Sequence, residues 1–329
     1  MSNLLEIKNL CVSFPTPRGN VEAVRNVFLS LGRGEAVGIV GESGSGKSTM
    51  AAAIIGLLDR PGRITDGSIT FDEKKLTGLP NEELRKIRGK EIAVIFQDPS
   101  SSLNPLFTVG SQIGESLRFL EGIKGRQALD KAAGLLRMVG INDPYRRLKQ
   151  FPHELSGGMR QRVMIAMALT GGPKLLIADE PTTALDVTIQ AQILEIIREL
   201  KIKTGMSVLI ITHNPGVAAQ TADRIAVMYG GKIIETAPCG ELFRNPRHPY
   251  TVGLLQSLPG LDRGKPPIAI EGSPPDPLDL SLGCPFAPRC RFCLKICLVR
   301  APRSAKIAEN HEFSCWLSDR RAGTGRITE

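Results

Sequence analysis

The first part of the chain alternates apolar and polar residues in short pieces. Up to about residue 35, single apolar side chains recur between polar ones, as they do in strands that bury one face. These positions are Leu5, Ile7, Leu10, Val12, Phe14, Val24, Val27 and Leu29. The pattern predicts a small antiparallel β-sheet at the start of the protein.

Mainly apolar runs without alternation predict a second kind of strand. Such runs are typical of strands that are buried on both faces of a parallel sheet. They are Ala36–Val40, Ile92–Phe96, Leu175–Ala178 and Ser207–Thr212. The segment from about 98 to 170 has a helical pattern instead. Apolar residues make up 42% of the chain and aromatic residues only 5%, which suits a buried α/β core better than an aromatic-packed β-sandwich.

Hydropathy and charge exclude several classes of protein. The longest uninterrupted apolar run, Val163 to Leu169, has seven residues, whereas a membrane helix needs roughly 20. The segment MSNLLEIKNL lacks the basic and apolar regions of a secretory signal, so we expect a cytosolic chain without a membrane span. The formal net charge is +9, but no run of five or more basic residues occurs. This distribution favours a basic surface near anionic lipid or triphosphate over a nucleic-acid site.

A glycine-rich loop follows the strand Ala36–Val40. The loop reads GESGSGKS over residues 41–48, and the next residues, Thr49 to Leu58, have a helical pattern. A strand, a loop of this composition and a helix form the context of a phosphate-binding loop. A flexible glycine and serine linker would have no reason to lie between these two elements.

The residues of this loop have the chemistry that phosphate binding needs. Glycines let the backbone curl so that N–H groups face inward around phosphate oxygens, and the helix N-terminus adds its dipole. Lys47 can reach the β- and γ-phosphates, and the Ser48 hydroxyl can coordinate Mg²⁺. The glycines are Gly41, Gly44 and Gly46.

Two carboxylates end the apolar run Leu175–Ala178. Asp179 and Glu180 should therefore lie at the carboxyl edge of a parallel sheet, where ligands bind in α/β proteins. Asp179 can hold Mg²⁺ through water, and Glu180 can act as general base towards an attacking water. An apolar strand that ends in Asp-Glu is common by chance, so this interpretation depends on the phosphate loop.

A second candidate anion site follows at Leu155-Ser156-Gly157-Gly158. Ser156 is in N-cap position for the segment 157–169, and two glycines permit close backbone approach. An ordinary capped helix would look the same in isolation. Because the chain already has one phosphate loop, we expect this second site to serve the nucleotide of another molecule.

Together these motifs resemble those of the ABC ATPase family over roughly residues 1–240. Residues 41–49 resemble its Walker A, 175–180 its Walker B and 155–158 its signature, although Met159 replaces the commoner glutamine. Gln97 resembles the Q-loop residue, Asp186 with Ala184 and Leu185 the D-loop, and His213 the switch histidine. The resemblance implies a P-loop ABC cassette: a RecA-like α/β core, an antiparallel β subdomain and a helical subdomain at about 98–170.

The resemblance also implies roles for single residues. Glu180, His213 and Gln97 would be catalytic, and Ser48, Gln97 and Asp179 would hold Mg²⁺. ATP would be bound by Phe14, stacked on adenine, and by Gly41, Ser43, Gly44, Ser45, Gly46, Lys47, Ser48 and Thr49. A second cassette would offer the equivalents of Ser156, Gly157, Gly158 and Asp186 in trans. An aromatic residue at a strand end is more often part of a core, so the role of Phe14 rests on the resemblance alone.

Several segments resemble the oligopeptide and dipeptide importer branch of this family. They are DPSSSLNP at 98–105, FPHE at 151–154, MRQRVMIA at 159–166 and NPRHPYT at 245–251. The resemblance implies a peripheral ATPase at the cytoplasmic face of the inner membrane. Its partners would be two permease subunits, a second homologous and non-identical ATPase subunit and, through the permease, an extracytoplasmic binding protein. It implies no nucleic-acid partner.

From about Phe243 the composition changes, so we divide the chain into a nucleotide-binding domain at 1–242 and an extension at 243–329. Prolines interrupt any long helix there, and five of the seven cysteines lie in the last 46 residues. Clustered cysteines in a cytosolic chain favour an iron–sulfur cluster or zinc over disulfides, and metal-free thiols are the third possibility. The importer resemblance favours a [4Fe–4S] cluster on Cys284, Cys290, Cys297 and Cys315, with Cys293 as an extra thiol.

Two other functions compete with peptide import. Closely related cassettes serve nickel or other metal chelates, and the cassette itself does not contact the cargo. ABC ATPases also act on DNA or ribosomes, but those proteins generally carry two cassettes in one chain. Here the sequence has one phosphate loop and one signature, which favours transport.

Overall fold

The computed structural model describes residues 3–97, 102–183, 185–259, 266–278 and 282–319. Its strands are β1 Asn3–Thr16, β2 Gly19–Gly32, β3 Ala36–Val40, β4 Arg63–Phe71, β5 Lys74–Lys75, β6 Ile92–Ile95, β7 Leu175–Asp179, β8 Ser207–Thr212, β9 Arg224–Tyr229, β10 Lys232–Pro238, β11 Ala305–Ala308 and β12 His311–Phe313.

The α-helices alternate with these strands. They are α1 Lys47–Ile54, α2 Asn81–Ile87, α3 Val109–Glu121, α4 Gly125–Met138, α5 Pro144–Arg147, α6 Gly157–Ala168, α7 Val187–Thr204, α8 Pro215–Ala219, α9 Cys239–Arg244, α10 Pro249–Gln256 and α11 Lys295–Val299. Helix α1 begins two residues before the predicted Thr49 and ends four before Leu58. In the part of the chain that the structure describes, no helix is long and apolar enough to cross a bilayer.

The described residues form two compact units that interleave along the sequence. The helical unit contains Gly32–Ala36 and Gly78–Ile211. The phosphate-loop unit contains Asn3–Leu31, Val37–Thr77 and the described residues from Thr212 onward. Each unit is built from several separate stretches of the chain, so this division does not test a boundary at one position. The predicted boundary at residue 242 stays a prediction.

The helical unit combines three parallel strands with a group of helices. The strands lie in the order β8-β7-β6, and Ile95 of β6 is level with Ala178 of β7. Helices α3, α4 and α6 pack together on one apolar core, which includes Ile113, Leu136 and Ile165. Helix α3 begins at the Thr108 cap, whose side chain accepts a hydrogen bond from the Ser111 amide. These helices lie within the segment 98–170 that the sequence marks as helical.

The phosphate-loop unit contains two groups of strands. Strands β2-β1-β4-β5 form a four-stranded sheet in which β1 and β4 are antiparallel. The other group follows the order β11-β12-β10-β9-β3, with β3 parallel to β9. Every residue of β3 is buried, so this strand gives the loop that follows it a fixed starting point. The last two strands of the chain, β11 and β12, extend this group from the cysteine-rich region.

Candidate functional site

The loop after β3 has a backbone that only glycine can follow at two places. Gly41 has φ 157°, and a Cβ there would lie 2.1 Å from the carbonyl oxygen of Met228. Gly46 has φ 100°, and a Cβ there would lie 2.2 Å from the carbonyl oxygen of Ala23. The close approach of these carbonyl oxygens excludes a side chain at both positions. Gly46, the N-cap of α1, also has a left-handed conformation that favours glycine. The loop is thereby shaped to turn sharply into the helix.

Lys47 is the first residue of α1 and is buried inside the curl of the loop. Its Nζ donates to the carbonyl oxygens of Gly41 and Glu42, both at 2.8 Å, and to Ser45 Oγ at 3.3 Å. Main-chain oxygens of the loop thus hold the positive charge of Lys47 in place. A negatively charged phosphate group needs such a positive charge beside it. Ser48, the next residue, is exposed on the first turn of the helix.

A cavity of about 440 Å³ opens beside the phosphate loop. One wall is formed by the loop itself, a second by Val21 to Ala23 of β2, and a third by Gly230 and Gly231 after β9. The proline-rich part of the extension closes the cavity with Pro274, Pro275 and Pro277. Ser43, Ser45 and Thr49 all line this space, together with Gly44 and Gly46.

Phe14 lies on β1 and is half-buried. Its ring covers Gly62, because a Cβ on that glycine would lie 2.3 Å from Phe14 Cε1. The ring therefore has an intramolecular packing partner. Stacking on adenine stays a prediction for this residue.

The two carboxylates lie at the end of β7, as the apolar run indicates. Asp179 is the last residue of the strand, is half-buried and is level with Ile211 of β8. Gln97 follows the neighbouring strand β6 by two residues and is exposed. Because parallel strands end at the same edge of their sheet, the structure brings Gln97, Asp179 and Glu180 to one edge of the helical unit.

Glu180 is held in an unusual backbone conformation. Its φ is 50°, a left-handed value that a glutamate rarely adopts. The amide of Glu180 donates to the carbonyl of Ile211 at 2.9 Å, and Thr183 Oγ1 donates to Glu180 Oε2 at 3.0 Å. These contacts fix both the main chain and the carboxylate, and a strained residue at a sheet edge is a candidate for function.

Two further predicted residues have clear positions. Asp186 caps α7, because its side chain accepts a hydrogen bond from the Ile189 amide at 2.9 Å. This gives Asp186 a structural role within its own chain, which the sequence analysis did not predict. Ala184 of the same motif lies outside the described residues, as do positions 98–101 of the DPSSSLNP segment. His213 follows β8 directly, belongs to the phosphate-loop unit and is exposed.

The candidate signature begins helix α6. The Ser156 hydroxyl accepts a hydrogen bond from the Met159 amide at 3.4 Å, so this serine is the N-cap of the helix. Ser156 and Gly157 are exposed, and Gly158 packs so tightly on Ile189 that a Cβ there would come within 2.7 Å of that side chain. The exposed face of Ser156 and the open helix end leave this site accessible from outside the chain.

The extension reaches the phosphate loop at Glu42, a contact that the sequence did not predict. The Glu42 amide donates to the Tyr250 hydroxyl at 3.0 Å, and Arg289 Nη1 donates to Glu42 Oε2 at 2.8 Å. Burial opposes the charge on Arg289, but its hydrogen bonds to Glu42 and Tyr229 raise its pKa on balance. The guanidinium therefore stays charged. No signal in the sequence connects Glu42 with Arg289, because 247 positions separate them.

Glu235 and the buried residues His248 and His311 form a hydrogen-bond network at the NPRHPYT segment. His248 caps α10 by accepting a hydrogen bond from the Tyr250 amide on Nδ1, and complete burial lowers the pKa of His248 to about 3. The carboxylate of Glu235 accepts hydrogen bonds from the amides of Arg247 and His248 and contacts His311 Nε2 at 2.8 Å. This network holds Tyr250 in its place below the loop.

Four of the five cysteines of the extension, Cys284, Cys290, Cys293 and Cys297, pack into one cluster with Phe286 and Leu294. Cys315 is also buried but lies outside that cluster. Burial raises the pKa of Cys284 to about 12 and that of Cys315 to about 11, which keeps both thiols neutral. Among the described residues, no three or more His, Cys, Asp or Glu side chains are arranged to hold a metal ion. The structure thus brings Cys284, Cys290 and Cys297 together but does not support the predicted [4Fe–4S] cluster, because the described residues contain no set of ligands arranged around a metal position.

A buried strand, a curled glycine loop and a helix that begins with an enclosed lysine define a P-loop nucleotide-binding protein. Comparison with known proteins narrows this class. Residues 24–183 match the family model for the ABC transporter, and residues 234–297 match the oligopeptide/dipeptide transporter C-terminal region.

Similar proteins cover almost the whole chain. The dipeptide transport ATP-binding protein DppD of Bacillus subtilis (strain 168) is 50% identical over 98% of this chain and 97% of its own length. The oligopeptide transport ATP-binding protein OppD of the same organism is 51% identical over 96% of this chain and 89% of its own length. The dimeric, post-hydrolysis structure of the MJ0796 cassette with ADP and Pi is 32% identical, with a TM-score of 0.64, over 71% of this chain and 98% of its own.

These matches establish the family. The chain belongs to the ATP-binding proteins of ABC transporters, its fold is the P-loop ABC cassette, and it is an ATPase of that family.

Proposed function

We propose that this chain is the ATP-hydrolysing subunit of an importer for dipeptides or oligopeptides. The observation that carries the proposal is the match of residues 234–297 to the oligopeptide/dipeptide transporter region, together with about 50% identity to DppD and OppD over nearly the whole chain. The predicted division into a cassette at 1–242, with its helical subdomain at about 98–170, and an importer-type extension at 243–329 belongs to the same proposal.

In this proposal the phosphate loop binds the triphosphate of ATP. The buried ammonium of Lys47 exchanges its contacts with loop carbonyls for contacts with the β- and γ-phosphates, while inward-facing amides and the helix N-terminus bind the remaining oxygens. The walls of the 440 Å³ cavity accept the rest of the nucleotide. Phe14 stacks on the adenine. The remaining loop contacts come from Gly41, Ser43, Gly44, Ser45, Gly46, Ser48 and Thr49.

Hydrolysis is assigned to Gln97, Glu180 and His213, which follow strands. Ser48 on α1, Gln97 and Asp179 would hold Mg²⁺, which would neutralise charge on the phosphates. Glu180 accepts a proton from the attacking water, because its carboxylate is oriented by Thr183 and its backbone by Ile211. His213 contacts the γ-phosphate and helps to position that water.

The exposed signature supports a head-to-tail pair of cassettes. Ser156, Gly157 and Gly158 of one chain complete the nucleotide site of another, and Asp186 lies beside them at the start of α7. The MJ0796 cassette, a relative in sequence as well as fold, is a dimer. Val187 supports an interface here, because it follows Asp186 directly and is 83% exposed.

A second surface of the helical unit suits the permease subunits. A cavity of about 800 Å³ is lined by Phe107 and Phe119, which are 51% and 61% exposed. Gln112 shapes its rim by hydrogen bonds to the main chain of Asn104 and Phe107. A groove of this size, in which exposed aromatic rings lie beside Arg85, Arg88 and Arg118, is expected to bind a helix of a partner. The chain would then lie at the cytoplasmic face of the inner membrane.

The test of the proposal is reconstitution with the permease subunits and a second cassette in lipid vesicles. A binding protein loaded with a dipeptide or an oligopeptide should stimulate ATP hydrolysis several fold, and the same protein without cargo should not. If only a binding protein loaded with a nickel chelate stimulated ATP hydrolysis, the cargo would be a metal chelate and not a peptide. Hydrolysis that depends on DNA or ribosomes, without membrane subunits, would contradict the transport function itself.

The same vesicles also test whether the permease subunits bind at the groove lined by Phe107 and Phe119. Phe119→Glu should reduce stimulation to near the basal rate, because it replaces an exposed aromatic ring of the groove with a carboxylate, and it should leave ATP affinity unchanged. Leu129→Glu is the matched control, since Leu129 is 45% exposed and does not line the cavity. Equal loss in both variants would argue against a specific docking site.

We also propose that Cys284, Cys290, Cys297 and Cys315 bind a [4Fe–4S] cluster, with zinc as the competing ligand. Support comes from the chemistry of the donors, since thiols are soft ligands and Cys284, Cys290 and Cys297 pack in the same cluster. Binding would require the thiols to lose their protons and to reorient around the metal. The cluster would order the extension and supply no chemistry to ATP hydrolysis.

Protein purified without oxygen should be brown and contain about four iron and four sulfide per chain. Cys290→Ser should bleach it, whereas Cys293→Ser, the matched control, should leave the colour. Because the thiols lie outside the phosphate loop, loss of the cluster should weaken assembly more than ATP binding. Colourless protein with stoichiometric zinc, or without metal, would contradict the cluster.

A further inference from the structure

Arg289 connects the extension to the phosphate loop through an almost complete set of hydrogen bonds. It is the last residue of the short 3₁₀ turn Ala287–Arg289, and its side chain is only 7% exposed. Nη1 donates to Glu42 Oε2 at 2.8 Å and to the Tyr229 hydroxyl at 3.1 Å. The planar guanidinium is suited to hold several acceptors in one fixed geometry.

The other nitrogens of Arg289 bind the segment that precedes the proline-rich cavity wall. Nε donates to the carbonyl of Glu271 at 2.8 Å, and Nη2 donates to the carbonyl of Ile270 at 3.3 Å. Three residues further on, Pro274 and the prolines after it line the cavity beside the loop. One side chain therefore anchors both the loop and the opposite wall of the cavity.

Glu42 is the part of the loop that Arg289 holds. Its carbonyl oxygen accepts hydrogen bonds from Lys47 Nζ at 2.8 Å and from the Ser45 amide at 3.2 Å. Its own amide is directed to the Tyr250 hydroxyl. The orientation of this one residue consequently affects where Lys47 and the neighbouring amides lie, and it is set by Tyr250 at its amide and by Arg289 at its carboxylate.

We propose that Arg289 is a positioning residue for the phosphate loop, through which the cysteine-rich extension sets the affinity of the cassette for ATP. This inference rests on the proposed function of the loop. Without the guanidinium, the carboxylate of Glu42 loses its partner in a partly buried site, where an unpaired charge is costly. The loop then relaxes, and the proline-rich wall is released with it.

The test is the dissociation constant of a fluorescent ATP analogue, MANT-ATP, measured on the full chain. Arg289→Ala should weaken binding about tenfold, which is the loss expected for a charge-assisted hydrogen bond at a binding site. Arg289→Lys should lose less, because a lysine can keep one of the acceptors. The rate of hydrolysis at saturating ATP should stay within about twofold, since bound triphosphate holds Lys47 in place and the residues assigned to hydrolysis are unchanged.

A double-mutant cycle distinguishes positioning from general stabilisation. Glu42→Gln should also weaken binding about tenfold, and the variant with both substitutions should bind no more weakly than either single variant. Additive losses would overturn the proposal, and so would wild-type affinity in Glu42→Gln and Arg289→Lys. These two variants decide the outcome if Arg289→Ala does not fold.

Two controls separate this inference from the function of the loop. Arg291→Ala removes an exposed arginine of the same segment and should bind MANT-ATP like the wild type. Lys47→Ala should abolish binding. Wild-type affinity in Lys47→Ala would contradict the proposed phosphate site, whereas lost affinity in Lys47→Ala with unchanged affinity in the Arg289 and Glu42 variants would overturn only the role of Arg289.

Discussion

Glu180→Gln should bind ATP normally and lose about 10²- to 10⁴-fold in the rate of hydrolysis, the usual cost of removing a general base. Glutamine has the same shape and can still accept the hydrogen bond from Thr183 Oγ1, so the side chain should keep its position. It cannot take the proton of the attacking water. Because binding is retained and cleavage is blocked, the variant should accumulate as a dimer that encloses two ATP molecules, visible by gel filtration.

The matched control is Glu199→Gln, which neutralises an exposed glutamate on α7 that pairs with Lys203. It should hydrolyse ATP at the wild-type rate, since surface ion pairs contribute little. A Glu180→Gln protein that turns over within a few fold of the wild type would remove Glu180 from the role of general base. Loss of ATP binding in that variant would point instead to a role in holding the nucleotide.

The parts of the site that depend on local sequence could be predicted. A buried strand, the glycines and Lys47 lie within a dozen consecutive residues, so their arrangement follows from backbone sterics alone. The same holds for Ser156, whose capping position is fixed by the residues that follow it. Asp179 could be placed because β7 is apolar up to the residue where it ends.

Local rules were less successful for the helix that follows the loop. The pattern of apolar residues predicted a helix from Thr49 to Leu58, but α1 ends at Ile54. Gly56 has φ 63°, a left-handed value that terminates a helix, and the prediction extended through it. The N-terminal difference has the same kind of cause, because Gly46 caps the helix in a left-handed conformation, so Lys47 and Ser48 are already helical.

Contacts between distant parts of the sequence could not be predicted. The pairing of Arg289 with Glu42 and the burial of His311 against Glu235 depend on how the extension folds back on β9 and β10. Prolines and cysteines indicate that such a segment lacks long helices, but they carry no information about where it packs. The left-handed φ of Glu180 likewise accompanies the hydrogen bond from its amide to Ile211 of β8 and does not follow from its own propensity.

Ser156→Arg should damage the nucleotide site of the partner cassette and spare the site of its own chain. Ser156 and Gly157 at the start of α6 are exposed, so they are available to a phosphate held by another molecule. Arginine at this position adds bulk at the interface and removes the capping oxygen. We expect hydrolysis at the partner's site to fall about 10²-fold, as when a donor to transition-state charge is lost.

The experiment mixes the Ser156→Arg chain with an intact homologous cassette and follows each chain separately by photo-crosslinking of an azido-ATP analogue. Labelling should be lost on the intact partner and retained on the variant. Thr108→Arg is the matched control, because Thr108 is also a helix N-cap and its loss should cost about the same ~1 kcal/mol of stability without affecting either site. Labelling that disappears only from the Ser156→Arg chain would show that the signature acts within its own cassette, and the head-to-tail arrangement would then be wrong.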